Sequence, residues 1–77
     1  MNPTVLDARG LACPLPAVKA RLALAALPPG GALLVLATDP EAPIDVAAVA
    51  ADAGCTVSAA HDGEAWHLLV KRRRPAH

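Results

Sequence analysis

Residues 11–37 read LACPLPAVKARLALAALPPGGALLVLA, and this stretch decides the fold. Pro14 and Pro16 near its start suit the first turn of a helix and nowhere deeper in one. An Ala/Leu-rich run continues to Leu27. Leu15, Val18, Leu22 and Ala25 recur at helical spacing, which predicts a helix that buries this stripe. Pro28, Pro29, Gly30 and Gly31 stop it. Ala32 to Ala37 is then an unbroken apolar run of strand length between turn residues, the pattern of a central strand.

Working outward, Val5 to Ala8 is a short apolar stretch that ends at a polar turn, Arg9 and Gly10, and reads as an edge strand. Beyond the central strand lies a polar, proline-punctuated loop, Thr38 to Pro43. A second helix starts near Pro43 and runs to Ala53, with Val46, Val49, Ala50 and Ala53 as its buried stripe. Gly54 is placed to close it. Glu41 and Asp45 fall near its positive end, where carboxylates are favoured. Cys55 to Ala60 and Ala65 to Lys71 read as strands joined around Asp62-Gly63, a strong hairpin signal.

The expected order is therefore β-α-β-α-β-β. Two right-handed crossovers and a hairpin make an α/β two-layer sandwich, with a four-stranded mixed sheet and two helices on one face. Seventy-seven residues allow a single domain, 1–77, whose last residues, from about Arg73 to His77, are expected to fray. A hydrophobic content of 55% excludes a disordered chain. Trp66 is the only aromatic residue, so Ala, Val and Leu must build the core, and so fine-grained a core leaves little room for a deep ligand cavity.

Seven basic and seven acidic residues balance, so long-range attraction to nucleic acid or anionic membrane does not organise this protein. The basic run Lys71 to Arg74 reads as a solvated end, and direct nucleic-acid binding is not expected. No apolar run is long enough to span a bilayer, and no basic stretch followed by an apolar segment marks a secretory signal. The expected compartment is the cytoplasm. There, Cys13 and Cys55 are expected to be thiols rather than a disulfide. Neither pairs with His61, His67 or His77 at zinc-ligand spacing, so no metal is read, and no cofactor is implied.

The chemistry-bearing segment is Asp7 to Pro16. With Pro14 at the first helical position, Cys13 becomes the cap, and its sulfur sits against the free amides of the helix start. Pro16 also lacks an amide hydrogen, which leaves Leu15 as the nearest donor to the sulfur. A helix N-terminus stabilises an anion there by less than about one pKa unit, raising the thiolate population from a few per cent to ~10%. A cap position next to two prolines is poor core material, so Cys13 reads as a working thiol. Cys55, at the start of an ordinary strand, reads as a buried structural one. Arg9 and Lys19 are candidates for stabilising the sulfur anion or for docking, and Leu15 for docking.

Leu6-Asp7-Ala8-Arg9-Gly10-Leu11-Ala12-Cys13-Pro14-Leu15-Pro16 resembles the signature of the TusA-like (SirA/YedF) sulfur-carrier family. The likeness extends to Pro29-Gly30, Thr38-Asp39-Pro40 and Asp45-Val46, covering nearly the whole chain. It implies a small two-layer α/β protein whose motif cysteine, here Cys13, accepts sulfur as a persulfide and relays it. Pro14 and Pro16 would hold the turn, and Asp7 and Gly10 would shape the loop before it. The implied partners are a sulfur donor, a cysteine desulfurase or rhodanese-like protein, and a sulfur-accepting protein. One position departs. The best-known tRNA-thiolation carrier has Glu between the prolines where this chain has Leu15, so the carrier role is implied without that pathway. The rival reading is a non-catalytic regulatory or interaction module with the same fold. A thiol redox protein is disfavoured by a motif cysteine without a Cys-x-x-Cys partner.

Overall fold

The computed structural model describes residues 2–72. In chain order its elements are β1 (Thr4–Asp7), α1 (Leu15–Ala25), β2 (Ala32–Ala37), α2 (Ala42–Asp52), β3 (Cys55–His61) and β4 (Trp66–Arg72). The basic run beyond Arg72 and the expected frayed end at 73–77 lie outside the described residues. The element order is the one the sequence predicts, with several ends moved by a residue or so. No helix among the described residues is long and apolar enough to cross a membrane.

The sheet is ordered β1-β2-β4-β3. β1 pairs parallel with β2, and β4 runs antiparallel to both β2 and β3. β2 and β3 are thus parallel but not neighbours. The crossover through α2 leaves a gap between them, and the hairpin returns β4 into it. Asp62 fixes that hairpin: its Oδ1 accepts the amides of Glu64 and Ala65 at 2.8 Å each, and its Oδ2 meets His67 Nε2 at 2.7 Å. The Ala65 and Glu64 amides, with His67 after them, hold this carboxyl well below the usual carboxylate range.

The continuous apolar run of β2 reflects its central position. Leu33, Val35 and Ala37 are fully buried under the helices, and the alternate Leu34 and Leu36 are half-buried on the open face. Leu68 and Val70 of β4 complete the same inner surface. Val46, Val49 and Ala50 of α2 pack on it as expected. Ala53 does not: the helix ends at Asp52, Ala53 is its exposed cap, and Ala42 in the first turn is buried instead. Gly54 follows with φ +70°, a left-handed closure that costs glycine nothing.

α1 corrects the sequence reading more deeply. Leu15, Val18, Leu22 and Ala25, the stripe expected in the core, face solvent. Pro16, Ala17, Ala20 and Leu24 face the sheet instead. The helix is apolar nearly all round, so period alone does not choose between two adjacent stripes. The choice falls to space. α1 packs against both the sheet and α2, and the alanines let the backbones approach, while the bulkier side chains stay outside.

This inversion has a direct stability consequence. Leu24, 2% exposed, is expected to cost about 2–5 kcal/mol when cut to alanine, from lost burial and the cavity left behind. Leu22, 69% exposed, is expected to change stability by no more than about 0.5 kcal/mol. Urea midpoints of Leu24→Ala and Leu22→Ala check this, and equal losses would put the wrong stripe in the core.

Candidate functional site

Because β1 and β2 are parallel neighbours, the loops leaving their C-terminal ends lie side by side. The ladder runs one step past β1, where the amide of Ala8 donates to Leu36 O at 2.8 Å. The chain then turns away. Asp7 receives Arg9 three ways: from its backbone amide at 3.1 Å, and from Nε and Nη2 at 2.9 Å each. Those bonds hold the Asp7 carboxyl at about 2. Gly10 turns with φ +80°, and its amide donates to Thr38 Oγ1 at 2.9 Å. A Cβ at Gly10 would meet nothing within 4 Å, so the left-handed backbone alone calls for glycine there.

The second loop clamps the first a second time. Asp39 Oδ2 accepts the amide of Cys13 at 3.0 Å, while its Oδ1 accepts that of Glu41 at 2.7 Å. One carboxylate therefore ties the Cys13 turn to the entry of α2. The Cys13–Pro14 peptide is cis. Pro14 is the helix cap, Leu15 the first helical residue, and Pro16 lies in the first turn. The sequence reading placed the cap at Cys13 and the first helical residue at Pro14, each one residue earlier, with Pro16 in the first turn either way. Leu15's amide, expected to be the donor nearest the sulfur, is taken by Ala12 O at 2.9 Å, and Val18's by Pro14 O at 3.1 Å.

The sulfur instead faces α2. Cys13 is exposed, and its thiol donates to Asp45 Oδ2 across a 2.6 Å separation. That hydrogen bond, then loss of hydration, then the charges of Asp45, Asp39 and Glu41 push the Cys13 thiol up to about 11. The sequence reading expected the opposite direction. A helix start supplies only a partial positive charge, and its nearest amide is already engaged, whereas three carboxylates stand around this sulfur. At neutral pH the thiol is then held in its protonated form.

The other expected site residues are spread more widely. Arg9 is held by Asp7, and the next carboxylates acting on it are Asp62 and Glu64 of the hairpin, so it is not the sulfur's counter-ion. Lys19 is exposed on α1. Leu15, Val18 and Leu22 form an outward apolar face beside the motif, and Ile44, next to Asp45, is 68% exposed. Cys55 lies on β3, the edge strand opposite β1, half-buried, with its sulfur 3.7 Å from Ala53 O. Sequence reasoning gave Thr38, Asp39 and Asp45 no chemical role. The available signal was topological: a parallel pair puts the residues following each strand at one edge of the sheet.

With this geometry in place, residues 4–72 match the family model described as "Sulfurtransferase TusA". The chain is 39% identical over 74 residues to putative sulfur carrier proteins of Neisseria meningitidis serogroups A and B, covering 96% of this chain and 100% of each relative. It is 40% identical over 68 residues to the sulfur carrier protein TusA of Allochromatium vinosum, covering 87% of this chain and 90% of that one. The crystal structure of a SirA-like protein from Desulfitobacterium hafniense matches with a TM-score of 0.82 at 25% identity, over 92% of this chain and 99% of that one.

The carboxylate environment sets a pH profile. With Cys55→Ser leaving one reporter, the rate of Cys13 with a neutral pyridyl disulfide is expected to keep climbing with pH beyond about 9, towards an inflection near 11. The sign follows from the raised value: the Sγ–H bond to Asp45 is intact below it and is lost as pH rises through it. A plateau already reached near pH 8 would mean that the carboxylates do not act on this sulfur.

Proposed function

Since this chain belongs to the TusA family of sulfurtransferases, we propose that Cys13 is the residue on which it carries sulfur, as a persulfide. The chain is a sulfur carrier, as its relatives are named, and a carrier needs a thiol that large partners reach. The carrying observation is the exposed Cys13 sulfur, on a turn clamped by Asp39 and followed by Pro14 and Pro16, whereas Cys55 is half-buried on the opposite edge of the sheet. The rival interaction-module reading is not favoured by these relatives.

The exchange is redox-neutral. Cys13 sulfur attacks the outer sulfur of a donor persulfide, and a new S–S bond forms as the old one breaks. The electron pair of the broken bond leaves on the donor cysteine, which takes up the proton that Cys13 gives up. Delivery is the same step with Cys13 as the leaving group. Neither step needs an oxidant or cofactor.

Family membership implies a donor protein and an acceptor protein. We assign the donor class to a cysteine desulfurase or rhodanese-like protein, on the resemblance of the motif. Docking falls on the outward face of α1, where Leu15 is 47% and Val18 48% exposed. An exposed apolar surface of this kind suits brief encounters with large partners.

Intact mass after incubation with a desulfurase and cysteine, or a rhodanese and thiosulfate, is expected to show a reducible gain of one sulfur. Cys13→Ser removes it and Cys55→Ser keeps it, so loading that survives without Cys13 refutes the assignment. Leu15→Glu is expected to leave the fold and loading by a small persulfide donor unchanged, while shifting transfer rates among protein recipients. Identical rates to every recipient would remove Leu15 from the docking surface.

A further inference from the structure

We propose that Asp45 is the positioning residue that gates sulfur transfer: its carboxylate holds Cys13 as a protonated, α2-facing thiol until a partner's lysine or arginine takes up that carboxylate's charge. The proposal rests on the carrier reading of Cys13, and its test is arranged so that the two fail separately.

The geometry makes Asp45 different from an ordinary acidic residue at a helix start. It stands in the first turn of α2, with its amide bonded to Glu41 O at 3.0 Å, so its backbone is fixed. The helix dipole favours a carboxylate there in any orientation. This one is turned onto a sulfur 32 residues away in sequence, on a different loop. The side-chain charges that act on the sulfur are carboxylates. From the β2–α2 loop and α2 come Asp39, Glu41 and Asp45, all acidic. Asp39 is committed by both oxygens to backbone amides. From the β1–α1 loop, Arg9 is held by Asp7. From α1, Lys19 and Arg21 are exposed, and neither forms an ion pair among the described residues. Among those residues, then, no cation offsets the negative charge at Sγ.

Both half-reactions are held back by one contact. Loading needs Cys13 as thiolate, because the thiolate is the nucleophile. Release needs Cys13 to depart as thiolate, and a more basic thiolate is a poorer leaving group. A carboxylate against Sγ slows each step, so the free protein neither scavenges sulfur from small donors nor loses it to small thiols. A cationic side chain placed on Asp45 by a docked donor or acceptor draws the carboxylate away. The proton of Cys13 then passes to the departing donor sulfur during loading, and the acceptor's thiol proton returns to Cys13 on delivery. Partners are thereby recognised by chemistry: an apolar centre to meet Leu15 and Val18, with lysine or arginine beside it to meet Asp45.

The test uses the full chain carrying Cys55→Ser, with and without Asp45→Asn, and a neutral pyridyl disulfide near pH 7. Returning the thiol to its ordinary range raises its thiolate fraction roughly a hundred-fold, and the weaker intrinsic nucleophilicity takes back about ten-fold. Asp45→Asn is therefore expected to react roughly ten-fold faster, with its inflection moved to lower pH, and Asp45→Glu to return towards the parent. A hexalysine peptide is expected to accelerate the parent, an effect lost on adding salt and absent in Asp45→Asn. Once loaded with one sulfur, Asp45→Asn is expected to surrender it faster to a small thiol. Unchanged or slower reaction of a folded Asp45→Asn protein overturns the gate. Should that variant not fold, absence of any hexalysine effect on the parent overturns it instead. The disulfide assay involves no transferable sulfur, so its outcome stands apart from whether Cys13 loads.

Discussion

The parallel pairing of β1 with β2 is the constraint on which the site depends. A parallel pair sends both chains off the same edge of the sheet, and here the two departing loops hold each other. Thr38 and Asp39 receive the amides of Gly10 and Cys13, so side chains of the second loop satisfy backbone donors of the first. An unclamped turn of this length would leave those donors to water and the sulfur free to wander. The same pairing brings the first turn of α2 beside the start of α1, which is how a thiol and a carboxylate 32 positions apart come into contact.

The second determinant is the fineness of the core. A chain this short, with one aromatic residue, combines a few buried leucines and valines with alanines that let the backbones come close. Alanines at 17, 20, 42 and 50 occupy the layer between helices and sheet. Leu15, Val18 and Leu22 are left outside, next to the Cys13 turn. The arrangement that closes the core thereby leaves an apolar face exposed beside the Cys13 turn.

Electrostatics at the sulfur run against the simplest idea of a reactive cysteine. A helix start by itself argues for an activated thiolate, and the fold sets three carboxylates there instead. For an enzyme that attacks its substrate unaided, this would be a handicap. For a carrier, whose cargo has to survive between encounters, a quiet thiol is an asset. On the gating proposal, restraint in the free protein and reactivity in a complex are properties of one surface, met or unmet by its partner.

Much of this molecule was legible in one dimension. The prolines at 14 and 16, the Pro-Pro-Gly-Gly stop, the unbroken run at 32–37 and Asp62-Gly63 each impose local backbone geometry, so element order and the turn bearing Cys13 follow from sequence alone. The family motif was legible for the same reason, being a local arrangement of residue types. Three things were not. Which stripe of α1 is buried depends on how closely two helices and a sheet approach, because an almost uniformly apolar helix carries no preference of its own. The one-residue shift of the helix start depends on Ala12 O capturing the amide of Leu15. The state of the Cys13 thiol depends on Asp39, Glu41 and Asp45, remote in sequence and delivered only when the strands pair. Local stereochemistry is written residue by residue, whereas the field at an atom sums over whatever folding brings near it, and that sum exists only in the tertiary structure.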